Sequence, residues 1–226
     1  MTVPAIQWHR IDVVLLDLDG TLLDLNYDNV FWLQHVPKRF AELHSMSAQQ
    51  ALSELRKQMR HVEGSLNWYC VDYWSAKLGL DIAALKREIK HLIAVRPGVE
   101  LFLQRLQLHH KQVRLVTNAH ITSLDLKMQC TGLDDYFDRL QTSHALGAAK
   151  EHRDFWLRYQ NVDPFDPQRA LLIDDNFSVL QAARDYGLAE LRGIRFPDSA
   201  GPERQSPEFH CVDRFEDIMP RIEVPA

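Results

Sequence analysis

Asp17 and Asp19 sit two residues apart at the end of the apolar run Val13-Val14-Leu15-Leu16, and Gly20-Thr21 follows at once. Side chains at i and i+2 of a strand point to the same side, so both carboxylates are expected to face one site, with the turn beginning between them. Desolvated like charges repel and cost several kcal/mol each unless something compensates them. A bound cation and a phosphorylated substrate would do so. Gly20 has no Cβ, which lets the backbone bend close to a ligand, and Thr21 can cap the turn through its hydroxyl.

Three further groups suit the same chemistry. Thr117-Asn118 follows the apolar run 113–116, and its hydroxyl and backbone N–H can donate to phosphate oxygens, although such a pair is also a common turn. Lys150 follows Leu146-Gly147-Ala148-Ala149 and precedes a helical pattern, where an ammonium can offset phosphate charge; a lone lysine also fits a solvated surface. Asp174-Asp175-Asn176 follows Ala170–Ile173. Adjacent acids there suggest a hard divalent cation, Mg²⁺, or an ordinary acidic helix start.

The elements that must position these groups are legible as hydrophobic patterning. The short apolar runs 13–16, 113–116 and 170–173 read as buried parallel strands, with a fourth strand expected at 193–196. Each of the first three turns polar at its carboxyl end, where open α/β sheets bind ligands. Helices alternate with them: one opened by Pro97-Gly98 and carrying Val99, Phe102, Leu103 and Leu106; one near Lys150 carrying Phe155, Trp156 and Tyr159; one over 178–186 capped by Gly187. This alternation predicts an α/β fold with a Rossmann-like, doubly wound parallel sheet.

Residues 21–94 read differently, with helical patterns and no convincing strand. Ser47-x-x-Gln50 matches a capping box ahead of Leu52 and Leu55. Leu66, Tyr69, Tyr73 and Lys77 follow helical spacing up to Gly79, and Asp81 can cap a helix carrying Ile82, Leu85, Ile89 and Leu92. The expected organisation is therefore an α/β core from residues 1–20 and 95–226, with an inserted all-helical cap domain at 21–94 and hinges at 22–24 and 96–98. The polar, Pro-containing stretch 197–208 reads as a surface loop.

Composition narrows the function classes. The 226-residue chain carries a net charge of −5 and a pI near 6.1, without a basic tail, which disfavours a nucleic-acid binder. No apolar stretch is long enough to span a bilayer, and the N-terminus lacks the apolar core of a secretory signal. Cys70, Cys130 and Cys211 are unpatterned and odd in number, which fits a reducing compartment, so a cytoplasmic location is expected. None of the eleven histidines shows a clear metal-binding spacing. Nothing in the chain fixes an oligomeric state.

In combination, Asp17-Leu18-Asp19-Gly20-Thr21, Thr117-Asn118, Lys150 and Asp174-Asp175 resemble the haloacid dehalogenase superfamily of phosphohydrolases over nearly the whole chain, and 21–94 matches the position and length of its helical cap. DGTLLDLNYDNVFW, SLNWYCVDYWSAKLGLDI and VTNAH further resemble the bacterial GMP/IMP 5′-nucleotidases of that superfamily. Two departures stand out: no Pro follows Lys150, and Ser178 occupies the place of a second Asp. The resemblance implies Mg²⁺-dependent phosphomonoester hydrolysis with Asp17 as nucleophile, Asp19 as acid and base, and Lys150 completing the catalytic set. It implies phosphate binding by Leu18, Thr117, Asn118 and Lys150. The metal would be held by the Asp17 carboxylate, the Asp19 carbonyl and Asp174, supported by Thr21 and Asp175. The Asp19 pKa is expected to be raised by its acidic neighbours.

Substrate choice would lie in the cap. Asn67, Trp68, Tyr69, Asp72, Tyr73 and Trp74 offer faces for stacking a base and groups for reading its edge, or else pack the cap's own helices, and Asp24 and Asn26 are placed to line the cleft. Purine nucleoside monophosphate hydrolysis is the leading expectation. A sugar-phosphate phosphatase or a phosphomutase shares the core motifs, and a non-catalytic phospho-signalling or binding protein on this fold is the rival from another class. Asp19 argues against a dehalogenase. The length and the helical insertion argue against a response-regulator receiver. No Gly-x-Gly-x-x-Gly follows the first strand, which disfavours a dinucleotide-binding domain.

Overall fold

The computed structural model describes residues 4–221. Six strands, β1 (Val13–Leu16), β2 (Gln112–Thr117), β3 (Arg139–Thr142), β4 (Ala170–Ile173), β5 (Glu190–Ile194) and β6 (Cys211–Val212), form one parallel sheet in the order β3-β2-β1-β4-β5-β6. β1 lies between β2 and β4, in register Leu16↔Leu115 and Leu16↔Ile173, so the three polar strand ends emerge side by side.

Between β1 and β2 the chain forms α1 (Asn26–Val30), α2 (Val36–His44), α3 (Ala48–Arg60), α4 (Leu66–Tyr69), α5 (Val71–Leu78) and α6 (Ile82–Glu88). A wide π turn, Phe31–His35, joins α1 to α2. Pro37 has no N–H to return to the carbonyl four residues earlier, which suits a loosened ladder there. These helices build their own apolar cluster around Tyr27, Phe31, Phe40, Leu55, Trp74 and Ile82. The expected capping box forms, with Ser47 Oγ accepting from Gln50 N at 3.3 Å. Asp81 caps α6 by accepting from Ala84 N at 2.8 Å.

The remaining helices, α7 (Val99–Leu108), α8 (Ile121–Thr131), α9 (Ser143–Leu146), α10 (Arg153–Val162) and α11 (Phe177–Tyr186), follow the strands. The alternation of strand side chains decides which helices cover which face. Val14 and Leu16 pack with Phe102 and Leu106 of α7 and Leu124 of α8. Val13 and Leu15 pack with Phe155 and Trp156 of α10 and Leu180 of α11. Both faces of the sheet are therefore covered, and every residue of β1 is buried.

The two crossings to the helical insertion run side by side. Leu23 bridges Val95, Asp24 N donates to Ala94 O at 2.9 Å, and Arg96 N donates to Leu22 O at 2.9 Å. Among the described residues no helix is long and apolar enough to cross a membrane, and all three cysteines are free thiols.

Several expectations need correction. The helical pattern 66–77 breaks at Cys70, which is extended and accepts from Tyr73 N through its sulfur at 3.4 Å. The fourth strand is Glu190–Ile194 rather than 193–196; the charged Glu190 and Arg192, which pair with each other, hid its start. β3 and β6 are short edge strands, and β3 is largely exposed, so neither carried an apolar run. The stretch 197–208 is a loop, but part of it reaches inward: Pro197 O accepts from Leu25 N at 2.9 Å.

Candidate active site

Three strand ends and one turn converge on a buried charge cluster. Asp17, directly after β1, Asp174, directly after β4, and Asp175 have carboxylate oxygens within 4.8 Å of one another. Lys150 is 1% exposed, and its Nζ donates to Asp17 Oδ1 at 2.5 Å, Asp174 Oδ2 at 2.6 Å and Val116 O at 3.0 Å. Lys150 is not at a helix start, since α10 begins at Arg153. It sits in the preceding turn, pinned where its N–H meets Asn118 Oδ1 at 3.0 Å and its carbonyl accepts from Trp156 Nε1 at 3.0 Å.

The turn after β1 requires glycine. Gly20 has φ +84°, and a Cβ there would stand 2.7 Å from Asp175 Oδ2. Thr21 is fully buried and accepts from Asp175 N at 3.1 Å, so it ties the first acidic turn to the last. Asp174 accepts from Asn176 N at 2.9 Å. Thr117 Oγ1 accepts from Ala119 N at 3.0 Å, which leaves its hydroxyl proton free to donate. The backbone N–H of Leu18 works to lower the Asp17 pKa.

Electrostatics mark the cluster as short of positive charge. Burial, followed by Lys150 in opposition and Asp174 in support, leaves the Asp17 pKa at about 6. Burial also raises Asp174, and burial with Asp17 and Asp174 raises Asp175 well above the usual carboxylate range. Arg204, from the loop read as surface, reaches Asp175 Oδ2 at 3.1 Å and answers part of that charge. Buried hard oxygens with excess negative charge are the donor set that Mg²⁺, Mn²⁺ or Ca²⁺ takes. The residues present thus fit a divalent cation.

A stability consequence follows. A carboxyl whose folded pKa is raised from 3.8 to about 6 binds protons more readily folded than unfolded. In the metal-free protein these acids make stability fall as pH rises from about 4 through about 6. A divalent cation competes with those protons, so thermal melts should show a larger stabilisation by Mg²⁺ at pH 7.5 than at pH 5. An equal gain at both values would argue against metal binding by these carboxylates.

Asp19 turns its carboxylate away from this cluster. Its Oδ1 accepts from Lys127 Nζ at 2.6 Å, Lys127 also donates to Asp28 Oδ2 at 2.7 Å, and Lys86 donates to Asp28 Oδ1 at 3.0 Å. The Asp19 pKa is raised to about 6, as expected, but chiefly by burial; Lys127 opposes the rise, and Asp28 and Asp17 add to it. None of Lys127, Asp28 and Lys86 was singled out from the sequence.

A cleft of about 390 Å³ lies over these acids and is roofed by the inserted helices, with Trp32, Leu33, Met59, Trp68, Val71 and Trp74 on its apolar side. A larger hollow, about 830 Å³, opens near the amino ends of β1 and β4, far along the chain direction from the acids. Three of its four arginines, Arg169, Arg184 and Arg192, are already paired with Asp12, Glu208 and Glu190. The acidic cleft is the candidate site.

Of the residues named for substrate choice, Trp68, Tyr69 and Trp74 line the cleft. Trp74 is 1% exposed and spends its Nε1–H on Trp68 O at 2.9 Å, a packing role. Tyr73 stands edge-on to Trp74 at 5.2 Å, outside the lining. Asn67 is exposed, and Asp72 is exposed with His120 at 3.6 Å. Asp24 holds a turn by accepting from Asn26 N and Ser199 N, both at 3.0 Å, and Asn26 opens α1. These five do not line the cleft.

Glu151, where many superfamily members carry Pro, joins the insertion to the core. It accepts from Tyr69 Oη at 2.5 Å, Asn118 Nδ2 at 2.9 Å and Asn176 Nδ2 at 3.1 Å. Burial and the Glu151 carboxylate keep the Tyr69 phenol protonated far above its usual range.

Residues 11–187 match the family of haloacid dehalogenase-like hydrolases. The chain belongs to that family. It is 37% identical over 217 residues to the GMP/IMP nucleotidase YrfG of Escherichia coli (strain K12), covering 96% of this chain and 98% of the relative. Among solved structures, it is similar to a HAD phosphatase from Thermococcus onnurineus, with a TM-score of 0.75 at 21% identity, covering 92% of this chain and 95% of the other. A putative beta-phosphoglucomutase from Thermotoga maritima gives 0.65 at 16% identity, with 92% and 96% covered. These last two likenesses concern the fold.

Proposed function

We propose that this haloacid dehalogenase-like hydrolase is a Mg²⁺-dependent 5′-nucleotidase acting on purine nucleoside monophosphates, GMP and IMP, in the cytoplasm. Residues 21–94 form its cap and residues 1–20 with 95–226 its core. The observation that carries the reaction is the convergence of Asp17, Asp174 and Lys150 within hydrogen-bonding distance at the floor of a cleft. The nucleotide assignment rests on the 37% identity to a GMP/IMP nucleotidase across the whole length, cap included.

In this reading Asp17 attacks phosphorus, the phosphorus–oxygen bond to the nucleoside breaks, and an aspartyl-phosphate forms. Asp19 gives a proton to the departing 5′ oxygen. It then takes one from the water that attacks phosphorus and restores Asp17. Its Oδ1 is held by Lys127, while its Oδ2 has no protein partner among the described residues and is the oxygen left to carry the proton. A group near pKa 6 passes between both forms at neutral pH. Lys150, the Thr117 hydroxyl and the Leu18 and Asn118 N–H groups bind the phosphoryl oxygens. The Asp17 carboxylate, the Asp19 carbonyl and Asp174, with Thr21 and Asp175 in support, would hold Mg²⁺, which would supply the charge neutralisation that an anionic nucleophile needs to meet an anionic phosphate. Trp68 and Trp32 present aromatic faces to the base.

Phosphate release measured over nucleoside monophosphates and sugar phosphates, with and without Mg²⁺, tests this. GMP and IMP should exceed AMP, CMP and UMP in kcat/KM, and chelation should abolish turnover. Equal rates on simple sugar phosphates would replace the nucleotidase reading with a sugar-phosphate phosphatase.

A further inference from the structure

We propose that Lys127 is a positioning residue for Asp19, and that through Asp28 and Lys86 it makes the placement of the Asp19 carboxylate depend on the seating of the helical cap. The proposal rests on the reading of Asp19 as the proton-transferring group.

The four side chains form one alternating chain of charge across the junction of the two lobes. Lys127 comes from α8, beside the sheet; Asp28 comes from α1 and Lys86 from α6, both in the insertion. The links run Asp19 to Lys127 at 2.6 Å, Lys127 to Asp28 at 2.7 Å and Asp28 to Lys86 at 3.0 Å. The side chains of Lys127 and Lys86 are only 2% and 5% exposed, against 22% and 19% for Asp19 and Asp28, so the ammonium end of each link is shielded from bulk water. Burial alone would push the Asp28 carboxyl up, yet the two lysines outweigh it and hold it at about 2. Both ammoniums also lie 5.2 Å from the Tyr27 ring centroid, and Lys86 lies 4.5 Å from that of Phe31. The aromatic faces of Tyr27 in α1 and Phe31 in the π turn after it thus hold the chain in line.

Lys127 carries two acids at once, one from each lobe. Lifting α1 and α6 would take Asp28 away and leave a buried ammonium with Asp19 as its sole carboxylate partner. With the lobes together, Lys127 is fixed from both sides and so fixes the Asp19 rotamer. The geometry therefore directs the free Asp19 oxygen toward the leaving group only in the closed arrangement.

The test uses the full chain, two substrates and four variants. GMP has a poor leaving group that must be protonated, whereas p-nitrophenolate departs without a proton. In Lys127→Met, kcat on GMP should fall by on the order of 10²-fold, with KM little changed, because proton transfer contributes at least that factor. The burst of p-nitrophenolate that reports aspartyl-phosphate formation should persist. Lys127→Arg should restore a substantial part of GMP turnover. Asp28→Asn keeps size and both lysines, avoids a packing hole, and should lower GMP turnover while sparing the burst. Loss of the burst in step with GMP turnover in both Lys127→Met and Asp28→Asn would overturn the proposal in favour of a purely structural role. Unchanged GMP turnover in Lys127→Met would overturn it outright. Asp19→Asn separates the two readings: if it spares GMP turnover, the assignment of Asp19 itself fails, whatever Lys127 does.

Discussion

Asp17→Asn is expected to lower GMP turnover by at least about a thousandfold, roughly 4 kcal/mol of barrier. The amide keeps the size of the carboxylate and an oxygen for Lys150 Nζ, 2.5 Å away in the native protein, so the pocket should stay assembled. What it loses is the nucleophilic oxygen, and no other described side chain sits at the end of β1 to replace it. Removing one of three mutually repelling buried acids also relieves the cluster, so the metal-free variant should melt no lower than the native protein. Single-turnover phosphate release and a thermal melt on the same preparation check both halves. Retained turnover would place the attacking group elsewhere.

Lys150→Met is expected to be damaging in a different way. The ammonium is the cation shared by Asp17 and Asp174 at 2.5 and 2.6 Å, in a setting where its side chain is 2% exposed. Removing one partner of a buried ion cluster costs about 3–5 kcal/mol, because the surviving charges stay buried without compensation. Methionine fills most of the vacated volume, so packing is not the main loss. Urea unfolding should show a lowered midpoint in EDTA. Part of that loss should be recovered in Mg²⁺, since a divalent cation answers the same carboxylates. Turnover should not recover, because the phosphoryl oxygens still lack the ammonium. A midpoint equal to that of the native protein in EDTA would mean that the acids are neutral there and that Lys150 does not hold them.

The central strands were legible because each is an apolar run ended by polar residues, and the register of β1 with β2 and β4 then brings Asp17, Thr117 and Asp174 together. The edge strands were hidden. β3 lies at one rim with exposed Arg139 and Leu140, and β6 has only two residues, so neither needs hydrophobic alternation. The break at Cys70 was also invisible, since side-chain periodicity continues through it; it is the backbone that turns and sends Trp68 toward the cleft and Trp74 into the cap.

The buried ion chain was missed for another reason. Lys127, Lys86 and Asp28 lie inside helices, away from the strand ends where ligands are expected. Lys127 falls three residues after Leu124 and one before Met128, both buried. Lys86 falls four after Ile82 and three before Ile89, again on the buried side. Asp28 lies between Tyr27 and Phe31. A lysine or aspartate at an apolar position of an amphipathic helix signals a paired buried charge, because an unpaired one would cost several kcal/mol. That signal was present. Arg204 had none, since nothing in a polar loop indicates which arginine folds back to a distant aspartate.

The most direct measurement is the mass of the peptide carrying Asp17 after rapid quenching. Asp19→Asn protein mixed with p-nitrophenyl phosphate and Mg²⁺ forms the covalent species without needing a proton and cannot readily activate water to clear it. One phosphoryl group per chain should accumulate on Asp17, matching the p-nitrophenolate released in the burst. Release of stoichiometric p-nitrophenolate with Asp17 unmodified, or with the phosphoryl group on another residue, would contradict nucleophilic attack by Asp17.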